Sequence, residues 1–235
     1  VEIRVEVAVT DVDGVRVARA AGARRVELCV ALEVGGLTPS LGLVEAALEA
    51  AGPVGVHVLL RPRPGDFVHD ADDLTVVARD AGSVLAAGAA GIVVGPLTPE
   101  GRFDLEVLRR LRDTAAHAEL TAHRAFDVEL DVEANVADLV TVGVDRVLTS
   151  GGAASAHDGT ARIARAVVAA DGRLDVMAGG GVRAGRIPQL VAATGVRDVH
   201  LSARSSLAAD DGFGARYRTD PELAAAAVGA VGALS

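Results

Sequence analysis

The chain has 235 residues, 50% of them hydrophobic, 23% charged and 2% aromatic, with a formal net charge of −9. An acidic chain without tryptophan lacks the basic patch that nucleic acid or an anionic membrane needs, and it lacks a platform for stacking bases. All 23 positive charges are arginine and there is one cysteine, so Schiff-base lysine chemistry, a Walker-A lysine, an internal disulfide and a cysteine-rich metal centre are excluded.

Short apolar runs alternate with longer segments of helical period. In chain order, strands are expected at 3–8, 25–29, 54–61, 91–97, 120–126, 146–150, 174–178 and 198–202. Helical stretches include 43–51, 105–116, 132–142, 161–170 and 222–231. Alternating strands and helices, with strands apolar almost throughout, predict a parallel sheet covered by helices. Gly22, Gly88, Gly143 and Gly195 each stand between a helical segment and a strand, which suits a left-handed helix cap. This recurrence before alternate strands predicts closure, as a doubly wound sheet would not need it. The expected architecture is α/β: one domain over 1–235, a single (β/α)8 TIM-type barrel. No segment reads as a signal peptide, no apolar run reaches about 18 residues, and a lone cysteine fits a reducing compartment. A soluble cytoplasmic protein is the expectation, with neither nucleic acid nor membrane as partner.

In such a barrel the chemistry sits where the strands end. Residues two apart share a strand face. Glu27 and Cys29 therefore share one, as do His57 and Arg61, Thr121 and His123, and His200 and Ser202. Arg63, Arg124, Asp127 and Arg204 lie just beyond strand ends, and strand one adds Glu6. Both signs of charge converge from several strands. The expectation is a mouth site in which Glu27, His57, His123, Asp127 and His200 do acid/base work and Arg61, Arg63 and Arg124 neutralise a substrate. Three turns rich in Gly, Ser and Thr follow strands six to eight. Thr149, Ser150 and Gly151, then Gly180 and Gly181, then Ser202 with Arg204, are expected to hold an anion on backbone N–H groups and one guanidinium. Elsewhere, Ser155 to Asp158 reads as a helix capping box with His157 at the surface, and His69 and His117 read as solvated. Asp220-Pro221 reads as the start of a helix.

Several segments occur in a telling order. They are Val26-Glu27-Leu28-Cys29, Gly35-Gly36-Leu37-Thr38-Pro39-Ser40, Arg61-Pro62-Arg63-Pro64-Gly65-Asp66-Phe67, His123-Arg124-Ala125-Phe126-Asp127, Leu148-Thr149-Ser150-Gly151 and Gly180-Gly181-Val182-Arg183, followed by His200, Ser202 and Arg204. Together they resemble the CutC family, called copper homeostasis proteins. The resemblance covers roughly residues 5 to 205. It implies a cytoplasmic TIM-type barrel, a homo-oligomer, and copper as a ligand. Many members carry cysteines where this chain has Ala8, Val9, Val68 and Glu129. Of the soft ligands, Cys29 and Met177 are left, and Cys29 is the candidate copper ligand. Three readings stand: copper handling, a barrel enzyme moving a proton on a small phosphorylated or anionic metabolite, and a binding module without turnover.

Overall fold

The computed structural model describes residues 2–129, 131–207 and 216–234. Eight strands, β1 (Arg4–Val9), β2 (Arg25–Leu28), β3 (Gly55–Leu59), β4 (Gly91–Val94), β5 (Glu119–Ala122), β6 (Arg146–Thr149), β7 (Asp175–Ala178) and β8 (Asp198–Leu201), form a closed parallel barrel in sequence order. Helices α1 (Val12–Ala21), α2 (Leu41–Ala51), α3 (Ala71–Ala86), α4 (Leu105–Ala115), α5 (Val132–Val142), α6 (Thr160–Ala170) and α7 (Ile187–Thr194) follow the first seven strands in turn. A short antiparallel hairpin, β9 (Arg204–Leu207) and β10 (Arg216–Thr219), leads into α8 (Pro221–Gly232). The fold is the TIM barrel expected from the sequence.

Local chemistry explains most boundaries. Gly22, Gly143 and Gly195 cap α1, α5 and α7 at φ of 86°, 79° and 75°. Asp220 accepts from the amides of Glu222 and Leu223 at the start of α8. β5 stops at Ala122, short of the expected 126. His123 turns its ring back, and Nδ1 accepts from the Ala125 amide at 3.1 Å, opening a 3-10 turn over Arg124–Asp127. The Ser155–Asp158 segment is a turn rather than a capping box. Ser155 Oγ donates to Asp158 at 2.6 Å, but α6 starts from Gly159 with no side-chain cap.

The main apolar core lies between strands and helices, from Val7 and Val26 to Leu190 and Ala227. The barrel interior is different. It holds a small apolar cluster of Cys29, Leu59 and Val93, and the lower part is charged. Arg4 reaches Asp175 at 2.7 Å and also Asp198; Arg25 reaches Glu6 at 3.0 Å and also Asp198. Arg146 pairs with Glu119 at 2.8 Å. Arg25 also lies 3.9 Å from Met177 Sδ, across the barrel. Buried charge of this kind persists only when paired.

His57 belongs to this lower layer and not to the mouth, where the sequence pattern put it. Its Nε2 lies 3.4 Å from Glu119, and burial pushes the imidazole below its usual range. The reason is stagger. The register sets His57 beside Gly91, the first residue of β4, and Gly91 beside Glu119, the first of β5. A Cβ on Gly91 would lie 2.8 Å from the ring, so the bare glycine makes the seat.

Candidate functional site

A cavity of about 220 Å³ opens at the C-terminal end of the barrel. Glu27 enters it from β2, Arg61 from beyond β3, His123 and Arg124 from beyond β5, and His200 and Ser202 from β8 and its exit. Gly180 and Gly181 complete the β7 side. These are eight of the fifteen residues expected to converge; His57, Arg63, Asp127, Thr149, Ser150, Gly151 and Arg204 do not line it.

Beneath the cavity runs a chain of ionisable groups. His200 Nδ1 lies 2.9 Å from Glu6 Oε1, and its Nε2 lies 3.7 Å from Glu27 Oε2. Glu6 is held at the far side by Arg25. Burial would raise the Glu6 carboxyl, but His200 and Arg25 outweigh it and hold Glu6 well below the carboxylate range. Burial lifts Glu27 to about 7, with the Glu6 charge adding to the rise and His200 opposing it. Burial would lower His200, but the two carboxylates hold it above its ordinary value. One carboxyl is thus firmly ionised and its neighbour is lifted to about 7, a separation set by environment.

His123 is the opposite case. Burial first, then the nearby Arg61 charge, push it down to about 3. It is neutral at physiological pH. Its Nδ1 accepts from Ala125, so the proton resides on Nε2. That Nε2 is buried and has no hydrogen-bond partner among the described residues. Phe67 braces the ring at a centroid distance of 4.7 Å. Gly95 sits directly against it: a Cβ there would fall 2.1 Å from His123 Cε1. Gly95→Ala should therefore displace the ring. Overpacking of about 1–3 kcal/mol should lower the melting temperature by several degrees. The His123 Hε1 resonance should move with it; an unshifted resonance would show that the ring does not need the glycine.

Arg61 is the mouth's organiser. It donates to Val34 O at 2.8 Å, Gly36 O at 3.0 Å and Gly65 O at 2.7 Å, and packs over Phe67. It has no carboxylate partner among the described residues, so its charge is not neutralised locally.

The β6 turn departs from expectation. Its amides were to serve an external anion, but Asp127 takes them. The Asp127 carboxylate accepts from Ser150 N at 3.1 Å, Gly152 N at 2.9 Å and Thr149 Oγ1 at 2.5 Å. Gly151 N donates to Thr149 Oγ1 at 2.8 Å. Asp127 also fixes Arg124, whose other nitrogen reaches Ser150 Oγ at 2.9 Å. These donors hold Asp127 below the usual range despite its burial. Asp127, Thr149, Ser150 and Gly151 thus form a brace under the mouth, and Asp127 is not a free acid. The amides of Gly180 and Gly181, by contrast, have no acceptor among the described residues.

Three further residues sit elsewhere than expected. Arg63 is half-exposed and engaged by Asp66 at 3.1 Å and Asp73 at 2.7 Å, outside the cavity. His69, expected in solvent, has a side chain only 4% exposed and lies 3.5 Å from Asp73. Arg204 lines a second, adjoining cavity. Cys29 is fully buried with Sγ 3.8 Å from Val9 O, and burial pushes its thiol far up.

The sequence reading gave no glycine the role of seating a histidine. Gly91 seats His57, Gly95 seats His123, and Gly179 comes within 3.1 Å of His200 Cβ when given a Cβ. A glycine beginning or directly following an apolar strand is the signal that marks such close approach.

Known proteins share this sequence pattern and fold. The model of the CutC family matches residues 3–205. A family protein CutC of Sinorhizobium medicae is 43% identical over 226 residues, 93% of this chain and 91% of that one. Its counterpart in Caulobacter vibrioides is 46% identical over 200 residues, covering 85% and 81%. A crystal structure from Streptococcus agalactiae, described as a copper homeostasis protein CutC, superposes with a TM-score of 0.80 at 30% identity, covering 85% of this chain and 98% of that one. The family model spans the barrel and the positions of the mouth residues, and this chain belongs to the CutC family.

Proposed function

We propose that the barrel mouth binds a small anionic metabolite bearing a carbonyl and moves a proton on it. The observation that carries this reading is one cavity lined both by His123, whose buried Nε2–H has no partner among the described residues, and by a carboxyl that titrates at about 7. A neutral imidazole donating from Nε2 suits a carbonyl oxygen on which charge develops. Glu27, near neutrality, takes and returns a proton at little cost. His200, tied to Glu6, supplies positive charge beside Glu27. Arg61, Arg124 and the Gly180 and Gly181 amides hold the anionic group. A cytoplasmic setting and a homo-oligomeric state belong to the same reading, the first from the lone thiol and the second from the family resemblance. No helix among the described residues is long and apolar enough to cross a membrane.

The family's association with copper is the second reading, and the donor set fits a resident copper ion poorly. Copper(I) favours two or more thiolate or thioether ligands. The one thiol is buried and held protonated, and the one thioether faces the Arg25 guanidinium. Among the described residues, no group of three His, Cys, Asp or Glu side chains is placed to hold a metal. A part in copper homeostasis would then act through the pocket's ligand.

The test is a thermal-shift panel of small carboxylates and phosphates on the parent protein and His123→Asn, which keeps an acceptor for Ala125 and drops the Nε2 donor. At 100-fold over Kd a ligand adds about 2.7 kcal/mol, several degrees, and the variant should lose most of it. No stabilisation by any compound at millimolar concentration would remove the reading. A tight copper(I) site abolished by Cys29→Ser would restore the other.

A further inference from the structure

A second cavity, of about 160 Å³, adjoins the mouth and shares Ala8, Leu32 and Ser202 with it. Its main feature is Arg204. The guanidinium lies over the Tyr217 ring at 4.5 Å. Its Nη1 is buried and has no hydrogen-bond partner among the described residues, and no carboxylate there pairs with it. A buried guanidinium nitrogen left without an acceptor is costly, and such groups call for an explanation. The backbone on both sides is also strained. Ala31 and Ala203 hold φ of 53° and 41°, in the left-handed region that alanine disfavours, and both border this space in sequence. Strain of this kind, about 1–3 kcal/mol per residue, concentrates at ligand clamps. Glu33 lines the cavity too, but Arg204 and Arg218 outnumber it.

We infer that this annex is an anion subsite that takes the far end of the mouth's ligand. The ligand is then two-ended. Its reacting carbonyl end lies with His123 and Glu27, and a carboxylate or phosphate end lies on Arg204, whose planar fork accommodates two oxygens. Tyr217 holds the fork flat by stacking. Ser202, common to both cavities, marks the passage. The inference rests on the proposed reading of the mouth for what occupies the other end, but the subsite can be measured alone.

Tyr217 makes that measurement direct. It is the chain's single tyrosine and there is no tryptophan, so intrinsic emission reports on the annex. Inorganic phosphate titrated into the parent protein should change that emission saturably. Arg204→Gln should weaken the apparent Kd at least about ten-fold, the loss of one charge-assisted contact, with an unchanged melting temperature. Arg204→Lys should recover part of it, and His123→Asn should leave it intact. No saturable change at millimolar phosphate, or equal binding in Arg204→Gln, would overturn the subsite. So would a signal lost in His123→Asn and kept in Arg204→Gln, which puts the anion in the mouth. A surviving Tyr217 signal beside thermal shifts that are equal in the parent and His123→Asn removes the proton-transfer reading and leaves the subsite standing.

Discussion

Asp198→Ala should cost about 3–5 kcal/mol and lower the melting temperature by on the order of 10 °C. Asp198 is 0% exposed and accepts from both Arg4 and Arg25, with Arg146 Nε at 3.8 Å. It is the anion on which three arginines converge. Removing it leaves Arg25 and Arg146 inside the barrel with one carboxylate fewer, and neither guanidinium can shed its charge by losing a proton. The penalty is that of an uncompensated buried charge, which exceeds the net worth of the pair. Glu119→Gln is the control. Glu119 also pairs with Arg146, but its side chain is 45% exposed, so water can replace much of what it gives. Its loss should cost about 1 kcal/mol or less. Arg25→Met added to Asp198→Ala should recover part of the stability, since it removes the stranded charge and sets an apolar chain near Met177. Thermal and urea unfolding of the four proteins reads all of this. Equal losses in Asp198→Ala and Glu119→Gln would mean that the interior network is solvated and contributes little.

The barrel itself was legible because its two periodicities differ. Apolar strands and amphipathic helices alternate without interruption, and Gly22, Gly143 and Gly195 mark where helices stop. Strand parity was legible for the same reason: Glu27, His123 and His200 do line the mouth cavity. Parity gives the face of a strand but not the height along the barrel axis. Height depends on stagger between strands, which no single strand encodes, and this is why His57 falls to the lower layer beside Gly91 and Glu119. The fate of the β6 turn was hidden by distance. Its amides are free or taken according to where Asp127, on the preceding unit, puts its carboxylate. The β9–β10 hairpin was missed for a third reason. Arg204-Ser205-Ser206-Leu207 is short and polar, with no apolar alternation, and its pairing with Arg216–Thr219 shows only in the register. That hairpin moves Arg204 out of the β7–β8 turns and over Tyr217.

At pH 8, Glu27→Gln should be more stable than the parent by on the order of 3 kcal/mol, and at pH 4 the two should agree. Burial, with the Glu6 charge behind it and His200 opposing, moves the Glu27 carboxyl from 4.5 to about 7 in the folded protein. Between those two values the folded state keeps a proton that the unfolded state has lost. Stability therefore falls as pH rises through that window and stays lower above it. Each pH decade of displacement is about 1.4 kcal/mol, and glutamine, neutral at every pH, never incurs the loss. His200 bends the parent's profile the same way. Its folded value is raised, so the imidazolium contributes stability in full below its ordinary range and loses it as pH rises through the folded value. Glu27→Gln also removes part of that attraction, which trims the gain wherever His200 keeps its proton. Melting curves at half-unit steps from pH 4 to 9 would show a difference that opens between about 4.5 and 7. A difference flat with pH would mean that Glu27 is not displaced, and the acid/base assignment would fall with it. A carboxyl that destabilises its own fold at working pH is not kept there by folding. If the same substitution that stabilises the barrel also removes turnover, stability has been given up at Glu27 for a group that can exchange a proton near neutrality.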